Sequence, residues 1–331
     1  MAPRIIVIGA SAGGFTALRT LFASLAPNLN ASIFAVLHTS PAYPSYLDTL
    51  LSKGSSLPVR FASNGAFETG TIYIAPPDHH VIVERRELRL SQGPKENIAR
   101  PAIDVTFRSA AIAHRKAVIG VLLTGMLDDG TAGLFYVKRY GGVTIVQDPD
   151  DAEFASMPAN ALAHVKVDHK LPLREIVQAI NRLATVEWLG TELMRGSDER
   201  YGMEAMIEQD MQRLVSTNYM CPDCQGPLSR INDGSPSRFR CRVGHAYGLN
   251  ALYQAQVNHV ENGLWSSFQA LVAKAEIEEN LKQAAETSGD SEAVKSWKKG
   301  LDETQRRIAV FAQILELSPD ELAMATKSGA K

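Results

Sequence analysis

No carboxylate side chain precedes Asp48 in this chain, no apolar run reaches the length of a membrane span, and only three of 331 residues are cysteine. Crossing a bilayer takes about 20 consecutive apolar residues, so insertion in a membrane is not expected. The start, Met1-Ala2-Pro3-Arg4, runs directly into Ile5-Ile6-Val7-Ile8, too short for a secretory leader with its cleavage site. A cytoplasmic location is therefore expected. Charge of one sign is also missing: 34 Lys and Arg stand against 36 Asp and Glu, a net −2. Such a balance gives no general pull toward nucleic acid or anionic lipid, and no nucleic-acid partner is expected. The cysteines are odd in number and lie between positions 221 and 241. Internal disulfides cannot use them all, and in a reducing compartment such a cluster reads as metal binding before cross-linking. Internal repeats and low-complexity tracts are absent as well.

What remains is ordinary globular material, 45% hydrophobic and 21% charged, with length for roughly two domains. Residues 1–185 alternate β-branched runs with helical periodicity, which predicts an α/β fold with a doubly wound, mostly parallel sheet. Ile5–Ile8, Ile33–Leu37, Ala117–Leu123 and Val143–Gln147 read as strands. Phe15, Leu18, Leu21, Phe22 and Leu25 repeat at helical spacing, and Leu173–Leu183 reads as a closing helix. Thr71–Ile74, Val81–Glu84 and Glu87–Leu90 read as an antiparallel insertion at one sheet edge. Residues 186–248 read as a polar linker helix and a small Cys/His module. Residues 249–331 read as a helical hairpin and tail, with Ser288-Gly289-Asp290 as the turn.

The loop Gly9-Ala10-Ser11-Ala12-Gly13-Gly14 joins the first strand to the first helix. A mononucleotide loop requires Gly-Lys-Ser/Thr at its end, and here Gly14 is followed by Phe15. A dinucleotide loop requires glycine where Ser11 stands and an acid about 20 residues on for the ribose; the second strand ends in His38 instead. Gly9-x-Ser11-x-Gly13 does fit a nucleophile on a strand-to-helix turn, beside a helix N-terminus that favours developing negative charge. A tight turn capped by a serine is the plain alternative.

A serine hydroxyl needs a base, and His38 follows the second strand as Ser11 follows the first. Residues at the carboxyl ends of parallel strands gather along one edge, where open α/β folds place their sites. Leu123-Thr124-Gly125-Met126-Leu127-Asp128-Asp129-Gly130 leaves another apolar strand and enters another helix, so its acids reach the same edge. Asp128 and Asp129 both suit the carboxylate that orients an imidazole, and both suit capping of a helix. Residue chemistry does not choose between them. The order Ser, His, Asp differs from those of the α/β-hydrolases, chymotrypsin and subtilisin.

Ile8-Gly9-Ala10-Ser11-Ala12-Gly13-Gly14, His38, and Leu123–Gly130 resemble the catalytic domain of the CheB-type chemotaxis protein-glutamate methylesterases. So do Ile74-Ala75-Pro76-Pro77 with His79-His80, Arg100-Pro101-Ala102-Ile103-Asp104, Phe107-Arg108-Ser109-Ala110-Ala111 and Ser156-Met157-Pro158. The resemblance covers about residues 3–185. It implies Ser11 as nucleophile, His38 as base, Asp129 as orienting acid, and the backbone N–H of Met126 in the oxyanion hole. It implies hydrolysis of glutamate γ-methyl esters on chemoreceptors with release of methanol, glutamine deamidation in some members, and no cofactor for catalysis. The substrate-binding residues stay unassigned. The family usually has threonine at Ala12, a Gln-His-Met-like stretch at Leu37-His38-Thr39, and glycine at Leu127. It also usually carries a phosphorylated receiver domain ahead of the esterase; here the nucleophile strand begins at Arg4, and control by that switch is not expected. Competing readings are a hydrolase of another ester or amide, and a signalling scaffold without activity.

Cys221-Pro222-Asp223-Cys224 and Cys241-Arg242-Val243-Gly244-His245 form a C-x2-C…C-x3-H pattern, which suits a structural Zn²⁺ held by Cys221, Cys224, Cys241 and His245. The alternative is a reduced turn with buried thiols. Arg238, Arg240 and Arg242 read as a solvated basic face. The long C-terminal helices carry apolar positions at helical spacing, and a homodimer through them is an expected arrangement. Nothing in residues 186–331 reads as an element coupled to the site, so an open, constitutively competent site is expected.

Overall fold

The computed structural model describes residues 2–39, 45–185, 210–318, 320–322 and 325. It forms two compact units, Met1–Tyr253 and Gln254–Lys331. The linker helix expected within residues 186–209 lies outside the described residues.

Seven strands build the main sheet: β1 (Arg4–Ala10), β2 (Ala31–Leu37), β3 (Val59–Phe61), β5 (Ile72–Ile74), β8 (Val118–Leu122), β9 (Val143–Gln147) and β10 (His169–Leu171), with the short β4 (Gly65–Ala66) outside it. Their order is β10-β9-β8-β1-β2-β5-β3, every pair parallel. Both faces of a parallel sheet are covered, so its strands are apolar on both sides. Ile6 and Ile8 join a core with α1 (Gly14–Ala23), α2 (Leu47–Ser52) and α6 (Leu173–Thr185). Ile5 and Val7 join the opposite core with α3 (Ile103–His114), α4 (Thr131–Arg139) and α5 (Ser156–His164). The chain leaves β1 toward β2 on one side and later returns to β8 on the other. That reversal is where α/β sheets open a crevice at the carboxyl ends of their strands.

The antiparallel insertion is smaller than the sequence suggests. β6 (His80–Val83) and β7 (Glu87–Ser91) pair antiparallel, with β4 on the far edge of β7. Thr71–Ile74 does not belong to it: Ile72, Tyr73 and Ile74 pair parallel with both β2 and β3. All three are buried, so the segment has the two apolar faces of an inner strand rather than the single one of an insertion.

The Cys/His module is a four-stranded sheet, β11 (Leu214–Met220), β12 (Pro227–Ile231), β13 (Arg238–Cys241) and β14 (Ala246–Gly248), antiparallel throughout. It lies within the first compact unit. Arg238 and Arg240 do not form the solvated face expected of them; only Arg242 is exposed. Arg240 pairs with Asp210 and with Glu96, which also holds Arg108 through two bonds of 2.9 and 3.1 Å. Arg238 pairs with Asp210 at 3.0 Å and approaches Asp233. Three cations and three anions thus neutralise one another in the interior, which a local charge count along the chain does not reveal.

The module runs into α7 (Leu249–Ser288), which turns at Gly289 into α8 (Ser291–Ile314). Asp290 caps α8 by accepting from the N–H groups of Glu292 and Ala293. Within the hairpin Phe268, Ile308 and Ala312 form an apolar cluster, and the Thr304 hydroxyl donates to Glu278.

Candidate active site

Register places the first two residues side by side. Ala10 pairs with Leu37 across β1 and β2, so Ser11 and His38 leave the same sheet edge as neighbours. The elbow is pinned from below: the Ser11 N–H donates to the Thr124 carbonyl at 3.0 Å, and the Thr124 hydroxyl donates to the Ala12 carbonyl at 3.0 Å. Gly13 sits at φ 72°, where a Cβ would also fall 2.7 Å from the Glu153 carboxylate. Only glycine takes that turn without cost.

His38 lies between the two other candidates. Its Nδ1 is 3.1 Å from Ser11 Oγ, and its Nε2 is 2.8 Å from Asp129 Oδ2. An ionised carboxylate only accepts, so the neutral ring carries its proton on Nε2 and offers Nδ1 to the serine hydroxyl. Asp129 is 2% exposed and five donors surround it. Oδ2 accepts from His38 and from the Ile103 N–H at 2.7 Å; Oδ1 accepts from the Asn97 amide at 2.8 Å and from the N–H groups of Asp104 and Gly130. Burial alone would raise its pKa, but the hydrogen bond and charge of His38, with the bonds from Asn97 and Ile103, hold it below the ordinary carboxylate range.

The choice between the two aspartates, open in residue chemistry, has a geometric answer. Both carboxylates cap helices, yet neither caps the helix that follows it. Asp129 reaches the start of α3, whose own N-cap position is Ala102 with no side chain to offer. Asp128 turns away from His38, and its oxygens accept from the N–H groups of Asn250 and Ala251 at 2.9 and 3.1 Å, the start of α7. Burial pushes the Asp128 carboxyl up to about 6 against those two bonds.

The Met126 N–H donates to no protein acceptor among the described residues, and the side chain is 55% exposed. A Cβ at the adjacent Gly125 would lie 3.0 Å from Ser11 Cβ, so this loop borders Ser11. Leu127 has φ 66°. The family glycine at this position would adopt that angle freely; leucine pays on the order of 1 kcal/mol.

Asn97 is the residue that the sequence did not single out. Its buried amide donates to both Asp129 and Asp104 and its carbonyl accepts from the Gly248 N–H at 2.7 Å. No motif marks it, because its partners Gly248, Asp129 and Asp104 come from three separate segments. Asp104 is pushed up to about 7 by burial and by the charge of Asp129. A cleft of about 420 Å³ adjoins His38, lined among others by Asn97, Ile98, Arg100 and Leu127. Arg100 is fixed there by Asp78, at 2.9 and 2.7 Å, and by the carbonyls of Gln92 and Gly93.

The four metal-ligand candidates also converge. One ligand atom from each of Cys221, Cys224, Cys241 and His245 lies within 4.8 Å of all the others. Residues 246–251, which the sequence did not connect with this edge of the sheet, bond to Asn97 and Asp128, one bond and one residue from Asp129.

The CheB methylesterase family model matches residues 6–180. A putative protein-glutamate methylesterase/protein-glutamine glutaminase of Leptospira interrogans is 36% identical over 180 residues, 54% of this chain and 93% of that protein. The protein-glutamate methylesterase/protein-glutamine glutaminase of Thermotoga maritima is 35% identical over 185 residues, 54% of each chain; this chain thus spans about half of that relative. The crystal structure of the Thermotoga maritima CheB methylesterase catalytic domain superposes with a TM-score of 0.53 at 34% identity, covering 55% of this chain and all of that one.

Proposed function

This chain belongs to the CheB methylesterase family, and from that membership we propose that it hydrolyses glutamate γ-methyl esters on chemoreceptor or related signalling proteins. One observation carries the reading: His38 bonds a serine with one nitrogen and a buried, ionised aspartate with the other. Ser11 Oγ attacks the ester carbonyl while His38 Nδ1 takes its proton. Asp129 stays ionised and stabilises the imidazolium. The N–H of Met126, unpaired among the described residues, is the donor assigned to the oxyanion. The imidazolium then returns the proton to the departing methoxide, and methanol leaves. Water, activated by the same nitrogen, attacks the acyl-serine and releases glutamate. A glutamine side chain passing through the same steps would release ammonia.

The reading carries a cytoplasmic location. Among the described residues no helix is long and apolar enough to cross a membrane. Val260, Ile277, Val310 and Ile314 are exposed on the hairpin helices, and a homodimer through that hairpin belongs to the same proposal.

The test is methanol release from a methylated receptor by wild type and Ser11→Ala. The substitution should cost on the order of 10⁴ or more in kcat while changing stability by under about 1 kcal/mol. Near-normal turnover by Ser11→Ala would remove Ser11 from the chemistry.

A further inference from the structure

We propose that Cys221, Cys224, Cys241 and His245 hold one structural Zn²⁺, and that the hairpin this ion closes positions the Asp129 carboxylate through Asn97. The first half stands on the ligand geometry. Cys224 Sγ and Cys241 Sγ are 3.6 Å apart, and His245 Nδ1 is 3.7 Å from Cys221 Sγ and 3.6 Å from Cys241 Sγ. These separations are far too long for a disulfide, and all three cysteines are free. Zinc–sulfur bonds of about 2.3 Å and zinc–nitrogen bonds of about 2.05 Å make tetrahedral edges of about 3.8 Å for S–S and 3.6 Å for S–N. The observed spacings are those edges. Soft thiolates with one imidazole suit Zn²⁺ rather than a hard cation.

The second half stands on the residues just after His245, and it rests on the orienting role given to Asp129 above. The next residue, Ala246, exchanges backbone bonds with the α/β layer: its N–H donates to the Lys95 carbonyl and its carbonyl accepts from Asn97 at 2.8 Å. Two residues on, the Gly248 N–H donates to Asn97 Oδ1, and the Asn97 amide donates to Asp129 Oδ1. From a metal ligand to the acid behind His38 the path is three residues of β14 and one side chain. A second tie runs beside it, since Gly248 approaches Asp128 so closely that a Cβ would lie 2.3 Å from Oδ2. Asn97 itself sits at φ 50°, and β14 holds it there. Asn97 is thus a positioning residue, and the ion fixes the strand that aims it.

The experiment uses the full-length chain grown with ample zinc. Elemental analysis should return about one Zn²⁺ per chain, and Cys241→Ser well below half of that. Cobalt-substituted protein should show the visible bands of a tetrahedral thiolate site, absent in Cys241→Ser. Wild type with less than about half an equivalent overturns the metal site.

The positioning link is read in two variants that keep all four ligands, Gly248→Ala and Asn97→Ala. Each should retain Zn²⁺ and lower kcat on a small ester about tenfold or more with KM unchanged. The acidic limb of kcat/KM should move to higher pH, because Asp129 without its amide donor stabilises the imidazolium more strongly. A residue that only supported the fold would leave that limb in place. The downfield proton resonance of the His38–Asp129 bond reads the same link without turnover and should shift in Gly248→Ala and in Cys241→Ser. An unmoved resonance together with a wild-type kcat and pH limb overturns the link. Failure of the active-site reading looks different, since there Ser11→Ala would turn over normally; the metal content and the resonance would still decide the proposal.

Discussion

The α/β layer and the Cys/His module are held by opposite means. The layer has two apolar cores, one on each face of a parallel sheet, built from side chains such as Leu21, Phe22, Ile33 and Phe107. The module buries few large apolar groups, chiefly Leu228, Ile231, Phe239 and Tyr247. Its interior is instead a set of paired charges and a cluster of sulfur and imidazole. An apolar core loses stability in small portions as methylenes are removed. A charge network fails abruptly, because a lost partner leaves an uncompensated ion in a low dielectric. The molecule is fragile where the module's polar groups reach Asn97 and Asp128 at the carboxyl edge of the main sheet.

The largest expected effect divides the two regions at one peptide bond. Asp129→Asn should lower kcat on the order of 10⁴, since an amide neither enforces the Nε2–H tautomer nor stabilises the imidazolium. Asp128→Asn, which faces the module, should stay within about tenfold of wild type. Steady-state kinetics on one ester substrate checks both, and the reverse ranking would exchange the two roles.

Next in size is the loss of a buried cation. Arg240→Ala should cost about 3 kcal/mol, as Glu96 and Asp210 each keep one other arginine. Leu21→Ala in the layer should cost roughly the same, 2–5 kcal/mol. The two should differ in where the structure opens. Amide hydrogen exchange should accelerate first across β11–β14 for Arg240→Ala and throughout the main sheet for Leu21→Ala. Uniform acceleration in both variants would show that the module and the α/β layer open as one unit.

The smallest effect concerns pH. Burial raises Asp104 to about 7 and Asp128 to about 6, above their ordinary value near 3.9. Folding therefore takes up protons at these sites. Their contribution to stability is complete below about pH 4 and is lost as pH rises through 6 and 7. Asp129 and Glu96 work in the other direction; their ion pairs and hydrogen bonds favour the charged form, and that contribution is lost only as pH falls below the carboxylate range. Asp128→Asn removes one raised group. Its stability relative to wild type should improve by about 1 kcal/mol between pH 5 and 8. Urea unfolding at both pH values measures this, and a constant difference would count against it.

The sheet was legible in the sequence because its strands are short β-branched runs that alternate with helical periodicity. Ser11 and His38 were legible as a pair because both follow such strands. The assignment of Ile72–Ile74 failed because three apolar residues look alike in an edge insertion and an inner parallel strand; only long-range pairing separates them. Residue chemistry could not tell Asp129 from Asp128, which only the family resemblance separated, since the N–H groups that distinguish them belong to Ile103, Asp104, Asn250 and Ala251. Asn97, Glu96 and Arg240 were invisible for the same reason: their partners lie up to 151 residues away. Local pattern reports periodicity and turn chemistry. Polar networks between distant segments leave no such trace.

Asn97 stands between Gly248 and Asp129, and that position has a thermodynamic meaning. Coupling between two sites is a single free energy shared by both, so it acts with equal strength in each direction. Whatever the module contributes to aiming Asp129, a ligand that tightens the line through Ser11 and His38 contributes to the module. Hydrogen exchange in β14, and the affinity of the four groups for the proposed Zn²⁺, are then properties of the occupied Ser11–His38 site as much as of the module itself. The small sheet of residues 214–248 becomes a reporter, at a distance, of what is bound at the carboxyl edge of the large one.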